Sequence, residues 1–161
     1  MAENNIKPVT AKTFQKMKNS GEKITMLTAY DFSTAKYIDE AGIDSVLVGD
    51  SAGMTVIGYD NTLKVTVEDM MLFTKSVRNG VKRAMVIADM PFLSYQVSKE
   101  QTIYNAGKLI QSGADAIKLE GASDFILDEV RHLAECGINP GIILLSFFRR
   151  PIAVSWDYHV H

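Results

Sequence analysis

The stretch from residue 84 to 121, AMVIADMPFLSYQVSKEQTIYNAGKLIQSGADAIKLEG, contains the pattern that decides the fold. Two short apolar runs, 84–88 and 114–119, flank a segment with the start and stop signals of a helix. The start signal is the capping-box pattern of residues 98–101, and the stop signal is Gly113. Strands joined through a helix are expected to lie parallel in one sheet, because parallel neighbours need a crossover connection.

The rest of the chain repeats this pattern. Apolar runs of strand length alternate with capped, glycine-terminated segments of helix length. The predicted strands are 24–29, 45–48, 84–88, 114–119 and 142–145. This alternation predicts an α/β fold, either an open doubly wound sheet or a (β/α)₈ barrel. A whole barrel takes roughly 250 residues, so the 161 residues here would supply about five of its units.

The composition excludes several classes of protein. With 47% hydrophobic residues and a net charge of −2, the chain is expected to fold and to bind neither nucleic acid nor an anionic membrane. The single cysteine, Cys136, excludes an internal disulfide framework and a multi-cysteine metal site. No uninterrupted apolar run is long enough for a membrane span, and residues 1–10 are polar. We therefore expect a cytoplasmic protein.

Polar and charged side chains follow three successive predicted strands. Asp50 and Ser51 follow the second strand, and Asp89 follows the third. The fourth strand ends with Lys118 and Glu120, which share one face about 7 Å apart because strand side chains alternate. Functional groups of parallel α/β folds lie at the C-terminal ends of the strands, so these side chains are expected to converge.

Three carboxylates beside one lysine favour a site for a hard divalent cation and an anionic ligand. Mg²⁺ prefers oxygen ligands and often uses only one or two carboxylates directly, while a lysine can pair with an anion or polarise a carbonyl. No histidine lies at these strand ends, which argues against a zinc hydrolase. Taken singly, Asp50, Asp89 and Glu120 fit a structural role as helix cap or turn former equally well. Their placement together with Lys118 favours the site.

At these strand ends the sequence resembles a known family. The matching stretches are TMLTAYD (25–31), LVGDSAGM (47–54), DNTL (60–63), VTV (65–67), ADMPF (88–92) and GADAIKLEG (113–121). Over about residues 5 to 140, the chain resembles ketopantoate hydroxymethyltransferase, also called 3-methyl-2-oxobutanoate hydroxymethyltransferase. The run Val-Gly-Asp-Ser-x-Gly-Met followed by Lys-Leu-Glu-Gly carries the specificity of this match.

The resemblance implies a partial TIM barrel, (β/α)₈, comprising about its first five β/α units. It implies an enzyme of pantothenate biosynthesis that transfers a hydroxymethyl group from 5,10-methylenetetrahydrofolate to 3-methyl-2-oxobutanoate, giving 2-dehydropantoate. It also implies a homo-oligomer, typically a decamer. By the same resemblance Asp50 and Asp89 are Mg²⁺ ligands, with Glu120 acting directly or through water. Ser51 and Lys118 are contacts of the 2-oxoacid, with Asp50 and Asp89 also close to the substrate.

The resemblance ends after Pro140. Residues 1–140 are expected to form the N-terminal part of the barrel, and residues 141–161 form a divergent tail that a reading-frame change would explain. The family's proton-abstracting glutamate lies beyond this point, so no residue of this chain is expected to be the catalytic base. The chain alone is therefore expected to be inactive. The alternatives are a catalytically inactive truncated remnant and an independent doubly wound domain that binds a small anion.

Overall fold

A computed structural model describes residues 7–121 and 123–138. The predicted strand 142–145 and the divergent tail 141–161 lie outside the described residues. The α-helices are α1 (Ala11–Ser20), α2 (Phe32–Glu40), α3 (Val67–Gly80), α4 (Lys99–Gln111) and α5 (Asp124–Glu135), and a π-helix (Gly53–Ile57) and a 3-10 helix (Thr62–Lys64) precede α3. The strands are β1 (Met26–Thr28), β2 (Ser45–Val48), β3 (Met85–Asp89) and β4 (Ala116–Lys118).

The described strands form one parallel sheet in the order β1-β2-β3-β4. This confirms the parallel α/β fold predicted from the sequence. The order follows the chain without a reversal, whereas a doubly wound sheet reverses direction at a switch point. The sheet is therefore arranged like the first strands of a (β/α)₈ barrel.

Side-chain caps explain where the helices begin. Asp31 accepts hydrogen bonds from the backbone N–H and the hydroxyl of Thr34, at 2.9 and 2.8 Å, and so starts α2. Thr66 and Asp69 form a reciprocal capping box at the start of α3. Ser98 accepts from Gln101 N at 3.2 Å, which confirms the predicted N-cap of α4, and this bond is the half of the predicted capping box that forms.

Apolar side chains pack on both faces of the sheet. The larger cluster lies between the sheet and helices α2 to α5, and it includes Ile117 and Leu119 from the last strand and the residue after it. A smaller cluster on the opposite face contains Met85 and Ile87. Its neighbour Phe14 belongs to α1, a helix that the sequence analysis did not assign. Ile117 and Leu119 face the helices, so Lys118, which lies between them in the chain, faces the other side of the sheet.

No helix within residues 7–121 and 123–138 is both long and apolar enough to cross a membrane.

Candidate active site

The ends of β2, β3 and β4 bring three predicted site residues into contact. The register pairs Asp89 with Lys118, the last residues of adjacent strands. Lys118 Nζ lies 2.8 Å from Asp89 Oδ1, and Asp50 N donates a hydrogen bond to Asp89 Oδ2 at 3.2 Å. The predicted convergence at the strand ends is confirmed for Asp50, Asp89 and Lys118.

Asp89 and Lys118 form a buried ion pair, with side chains only 7% and 10% exposed. Burial raises the pKa of the Asp89 carboxyl, because desolvation penalises its charged form, and the Lys118 ammonium opposes this rise. Asp89 Oδ1 contacts the Lys118 ammonium at 2.8 Å, and no other donor among the described residues bonds to it. That oxygen therefore has coordination capacity that the described part of the chain leaves unused.

Asp50 and Glu120 extend the negative charge at this edge of the sheet. Burial raises the pKa of Asp50; the charge of Lys118 opposes the rise and the charge of Glu120 adds to it. The Thr62 hydroxyl lies close enough to Asp50 to lower its pKa, so the loop after β2 approaches this carboxylate. Glu120 is exposed, at the outer rim of the group. The site thus combines one buried ammonium with carboxylates from three strand ends.

Ser51 lies at the same edge, and its hydroxyl oxygen is 2.8 Å from the phenol oxygen of Tyr30. Gly49 permits this arrangement. A Cβ at Gly49 would lie 2.8 Å from Ser51 Oγ and 3.6 Å from Asp89 Oδ2. Because the first distance is shorter than a real Cβ contact, a side chain at this position would displace the serine hydroxyl.

Two tyrosines and a threonine belong to this site and were missed by the sequence analysis. Tyr95 is buried, and its hydroxyl donates to the carbonyl of Glu120 at 3.4 Å. Tyr30 follows the first strand, so the rule that placed Asp50 and Asp89 at strand ends also applies to it. Tyr95 lies in a connecting loop and Thr62 begins the 3-10 helix Thr62–Lys64, and neither segment is long enough to carry a periodic signal.

The carboxylates of this site suit an Mg²⁺ ion that is bound by only one or two protein ligands and by water. Among the described residues, no three histidine, cysteine, aspartate or glutamate side chains lie close enough to hold a metal ion together. Asp50 and Asp89 nevertheless follow or end adjacent strands, and the charge of the Asp50 carboxylate reaches Asp89 and raises its pKa. Mg²⁺ commonly binds through one or two carboxylates and keeps several waters, so these residues fit it. The predicted three-carboxylate set of Asp50, Asp89 and Glu120 stays a prediction.

A groove of about 610 Å³ is lined by segments that follow the site residues in the chain. Leu63 and Pro91 line it. Leu63 is the residue after Thr62, which lies near Asp50, and Pro91 is two residues after Asp89. Its outer wall comes from α4 and includes Tyr104 and Lys108, with the Lys108 ammonium 4.8 Å from the centre of the Tyr104 ring. The groove therefore offers an aromatic and a cationic surface, and Asp50, Asp89, Lys118 and Glu120 are not among its lining residues.

Comparison with solved structures supports the barrel. The chain superposes on 2,3-dimethylmalate lyase, a PEP mutase/isocitrate lyase superfamily member, with a TM-score of 0.63 at 18% identity, covering 83% of this chain and 51% of that one. It superposes on oxaloacetate acetylhydrolase with a TM-score of 0.62 at 16% identity, covering 86% and 53%. At such identities the similarity shows the fold alone: an α/β structure that forms part of a TIM barrel.

Comparison of sequences identifies relatives. The chain is 55% identical over 130 residues to 3-methyl-2-oxobutanoate hydroxymethyltransferase of Acetivibrio thermocellus, covering 80% of this chain and 46% of that protein. It is 47% identical over 152 residues to the enzyme of the same name from Bacillus cereus (strain B4264), covering 94% and 54%. The chain thus spans about half the length of the curated relatives it matches. Residues 8–140 match the family model described as ketopantoate hydroxymethyltransferase, and the chain belongs to that family.

Proposed function

We propose that this chain carries the metal-binding and 2-oxoacid-binding part of a 3-methyl-2-oxobutanoate hydroxymethyltransferase. The reaction would be the Mg²⁺-dependent transfer of a hydroxymethyl group from 5,10-methylenetetrahydrofolate to 3-methyl-2-oxobutanoate, giving 2-dehydropantoate. The observation that carries the proposal is the buried Asp89–Lys118 pair beside Asp50, at adjacent strand ends. Family membership supplies the reaction type.

Asp50 and Asp89 would hold the metal, and Glu120 would act on it directly or through water. When bound, Mg²⁺ would act as a Lewis acid that stabilises negative charge on the keto oxygen. The charges at the site support this assignment. Besides burial, the charge of Glu120 raises the pKa of Asp50, and the charge of Asp50 raises the pKa of Asp89. A bound cation would offset this repulsion between carboxylates.

Lys118 and Ser51 would hold the 2-oxoacid. The Lys118 ammonium is fixed at 2.8 Å from Asp89 and can pair with the developing negative charge of the substrate. The Ser51 hydroxyl can donate to a carboxylate oxygen. We assign no residue of this chain as the base that removes the C3 proton, and we expect no turnover by the chain alone.

The groove lined by Leu63, Pro91 and α4 would receive the one-carbon donor. The donor has an aromatic aminobenzoyl ring that ends in glutamate carboxylates, and the groove presents Tyr104 and Lys108. Lys108 is already paired with Glu68 at 2.9 Å, so a ligand carboxylate would compete with Glu68 for that ammonium.

Family membership and the strand order do not favour an independent doubly wound domain. The family resemblance supports a cytoplasmic homo-oligomer, a decamer in the resembling enzymes, as a further part of this proposal. Sedimentation of the chain would test the oligomer.

The proposal is tested by calorimetric titration of the chain with 3-methyl-2-oxobutanoate, with and without Mg²⁺. We expect binding that depends on Mg²⁺ and is lost in Asp50→Asn and Asp89→Asn, because each variant removes a negative ligand. Asp124→Asn, an exposed carboxylate on α5, is the matched control and should bind like the original chain. Equal affinity in Asp89→Asn would refute the assignment.

A further inference from the structure

The contact between Tyr30 and Ser51 joins two strand ends that are otherwise separate. The phenol and hydroxyl oxygens are 2.8 Å apart, and the two residues are 21 positions apart in the chain. Neither residue is exposed, and the Tyr30 ring packs against the main apolar cluster. A contact of this length between hydroxyls is a well-formed hydrogen bond in which either group can be the donor.

Tyr30 is held on both sides by the backbone. The preceding residue, Ala29, is buried and donates its N–H to the carbonyl of Leu47 at 3.1 Å, which continues the pairing of β1 with β2. The following residue, Asp31, is the N-cap of α2 and is bonded to Thr34. The phenol therefore projects from a connection that is anchored at each end.

The backbone of Ser51 is also fixed. Its carbonyl accepts hydrogen bonds from the N–H of Met54 and from the N–H and hydroxyl of Thr55, all at 3.0 Å. Gly49 leaves room for the serine hydroxyl, because a Cβ at that position would lie 2.8 Å from Ser51 Oγ. The remaining freedom is rotation of the hydroxyl itself, and Tyr30 is the partner that can set it.

We propose that Tyr30 is a positioning residue that fixes the Ser51 hydroxyl as a donor toward the carboxylate of the bound 2-oxoacid. This inference rests on the proposed function, since it takes Ser51 as a substrate contact. A phenol is a better O–H donor than an aliphatic alcohol, so Tyr30 donates to Ser51 Oγ. The serine proton then points to the ligand, and the two bonds in series strengthen each other.

The position of Ser51 makes this control necessary. The Ser51 and Asp89 side chains both approach Gly49, where an added Cβ would lie 2.8 Å from Ser51 Oγ and 3.6 Å from Asp89 Oδ2, and Asp50 is the neighbour of Ser51 in sequence. Both carboxylates accept hydrogen bonds and would compete with the substrate for the serine proton. A fixed donor on the opposite side of Ser51 Oγ occupies one acceptor position of that oxygen and restricts where its proton can go.

The test is a double-mutant cycle on the full chain, with the dissociation constant of 3-methyl-2-oxobutanoate measured at saturating Mg²⁺. Tyr30→Phe should weaken binding about two- to tenfold, the range for one lost hydrogen bond. Ser51→Ala should weaken it at least as much. The double variant should bind no more weakly than Ser51→Ala, because Tyr30 acts only through the serine. Tyr37→Phe, which removes a phenol 70% exposed on α2, is the matched control.

Several outcomes would overturn the inference. Unchanged affinity in Tyr30→Phe would do so, and so would further weakening in the Ser51→Ala background, which would mean that Tyr30 touches the ligand itself. If Tyr30→Phe is unfolded by circular dichroism, Tyr30→3-fluorotyrosine replaces it. The fluorinated phenol is a stronger donor and should tighten binding, and unchanged binding would contradict the proposal. Failure of the original chain to bind the oxoacid would instead refute the proposed function, which the Asp89→Asn comparison tests separately.

Discussion

The side chains of Lys118 and Asp89 are almost fully buried and form an ion pair at the ends of β4 and β3. Removing a charge from water costs several kcal/mol, and the attraction of a close partner offsets that cost only when both members are present. Asp50 adds a further negative charge nearby. The Lys118 ammonium therefore favours the charged forms of both Asp89 and Asp50.

Lys118→Met should destabilise the chain by about 3 to 5 kcal/mol, the usual cost of breaking a buried ion pair by removing one partner. The reason is that Asp89 would be left as an uncompensated buried carboxylate. The double variant Lys118→Met/Asp89→Asn should recover part of this loss. Urea unfolding monitored by circular dichroism would measure all three chains. A single variant as stable as the original would contradict the prediction.

At the scale of the elements, Asp44 links the residues that precede β1, β2 and β3 through hydrogen bonds. Asp44 accepts hydrogen bonds from Thr25 N at 3.0 Å, from Thr25 Oγ1 at 2.7 Å and from an Arg83 guanidinium nitrogen at 3.2 Å. Burial alone would raise the pKa of Asp44, but the bonds from Thr25 and the charge of Arg83 outweigh it and hold the pKa below its usual value.

The lowered pKa of Asp44 predicts acid sensitivity of the chain. The unfolded chain takes up this proton first, so the stability from Asp44 is present above the unfolded value of about 3.9 and is lost as the pH falls through the folded value. Asp50 and Asp89, with raised pKa values, act in the opposite direction. The free energy of unfolding should therefore fall more steeply between pH 5 and pH 3 in the original chain than in Asp44→Asn. Urea titrations at each pH would measure this.

Asp124→Asn is the control, since it removes an exposed carboxylate of α5. Parallel pH profiles for the original chain and Asp44→Asn would show that Asp44 contributes nothing to the acid response.

At the scale of the whole molecule, the described sheet ends at β1, which pairs only with β2 within residues 7–121 and 123–138. Leu27 in this edge strand is 49% exposed, and the neighbouring Ile24 is also exposed. An edge strand with exposed apolar side chains is a template for pairing with another chain. The family's longer members have about twice the length of this chain.

We expect the chain to self-associate through this edge. Leu27→Lys should lower the association measured by sedimentation velocity over a range of concentrations, because a charge on an edge strand opposes pairing. Leu72→Lys, which places the same charge on the exposed face of α3, is the matched control and should associate like the original chain. Equal association in Leu27→Lys would locate the contact elsewhere.

Much of the candidate site could be predicted because its residues lie at strand ends. The apolar runs locate β2, β3 and β4, and parallel pairing brings the residues that end or follow them to one edge, so Asp50, Asp89 and Lys118 converge. Tyr95 could not be predicted in this way. Its contact with Glu120 depends on the loop before α4, which is held by bonds from Asn105 and Thr102 to the backbone of residues 94 and 95.

The sequence by itself determined the parallel α/β class, the caps of the central helices and the residues that supply the carboxylates and the lysine. These follow from hydrophobic periodicity and local hydrogen bonding, which act within a few residues. The periodic pattern left a barrel and a doubly wound sheet open, and the family resemblance implied the barrel; the tertiary structure showed the barrel-like strand order, and only it brought Tyr30 to Ser51. Both depend on which distant segments pair, and the same local pattern permits more than one such pairing.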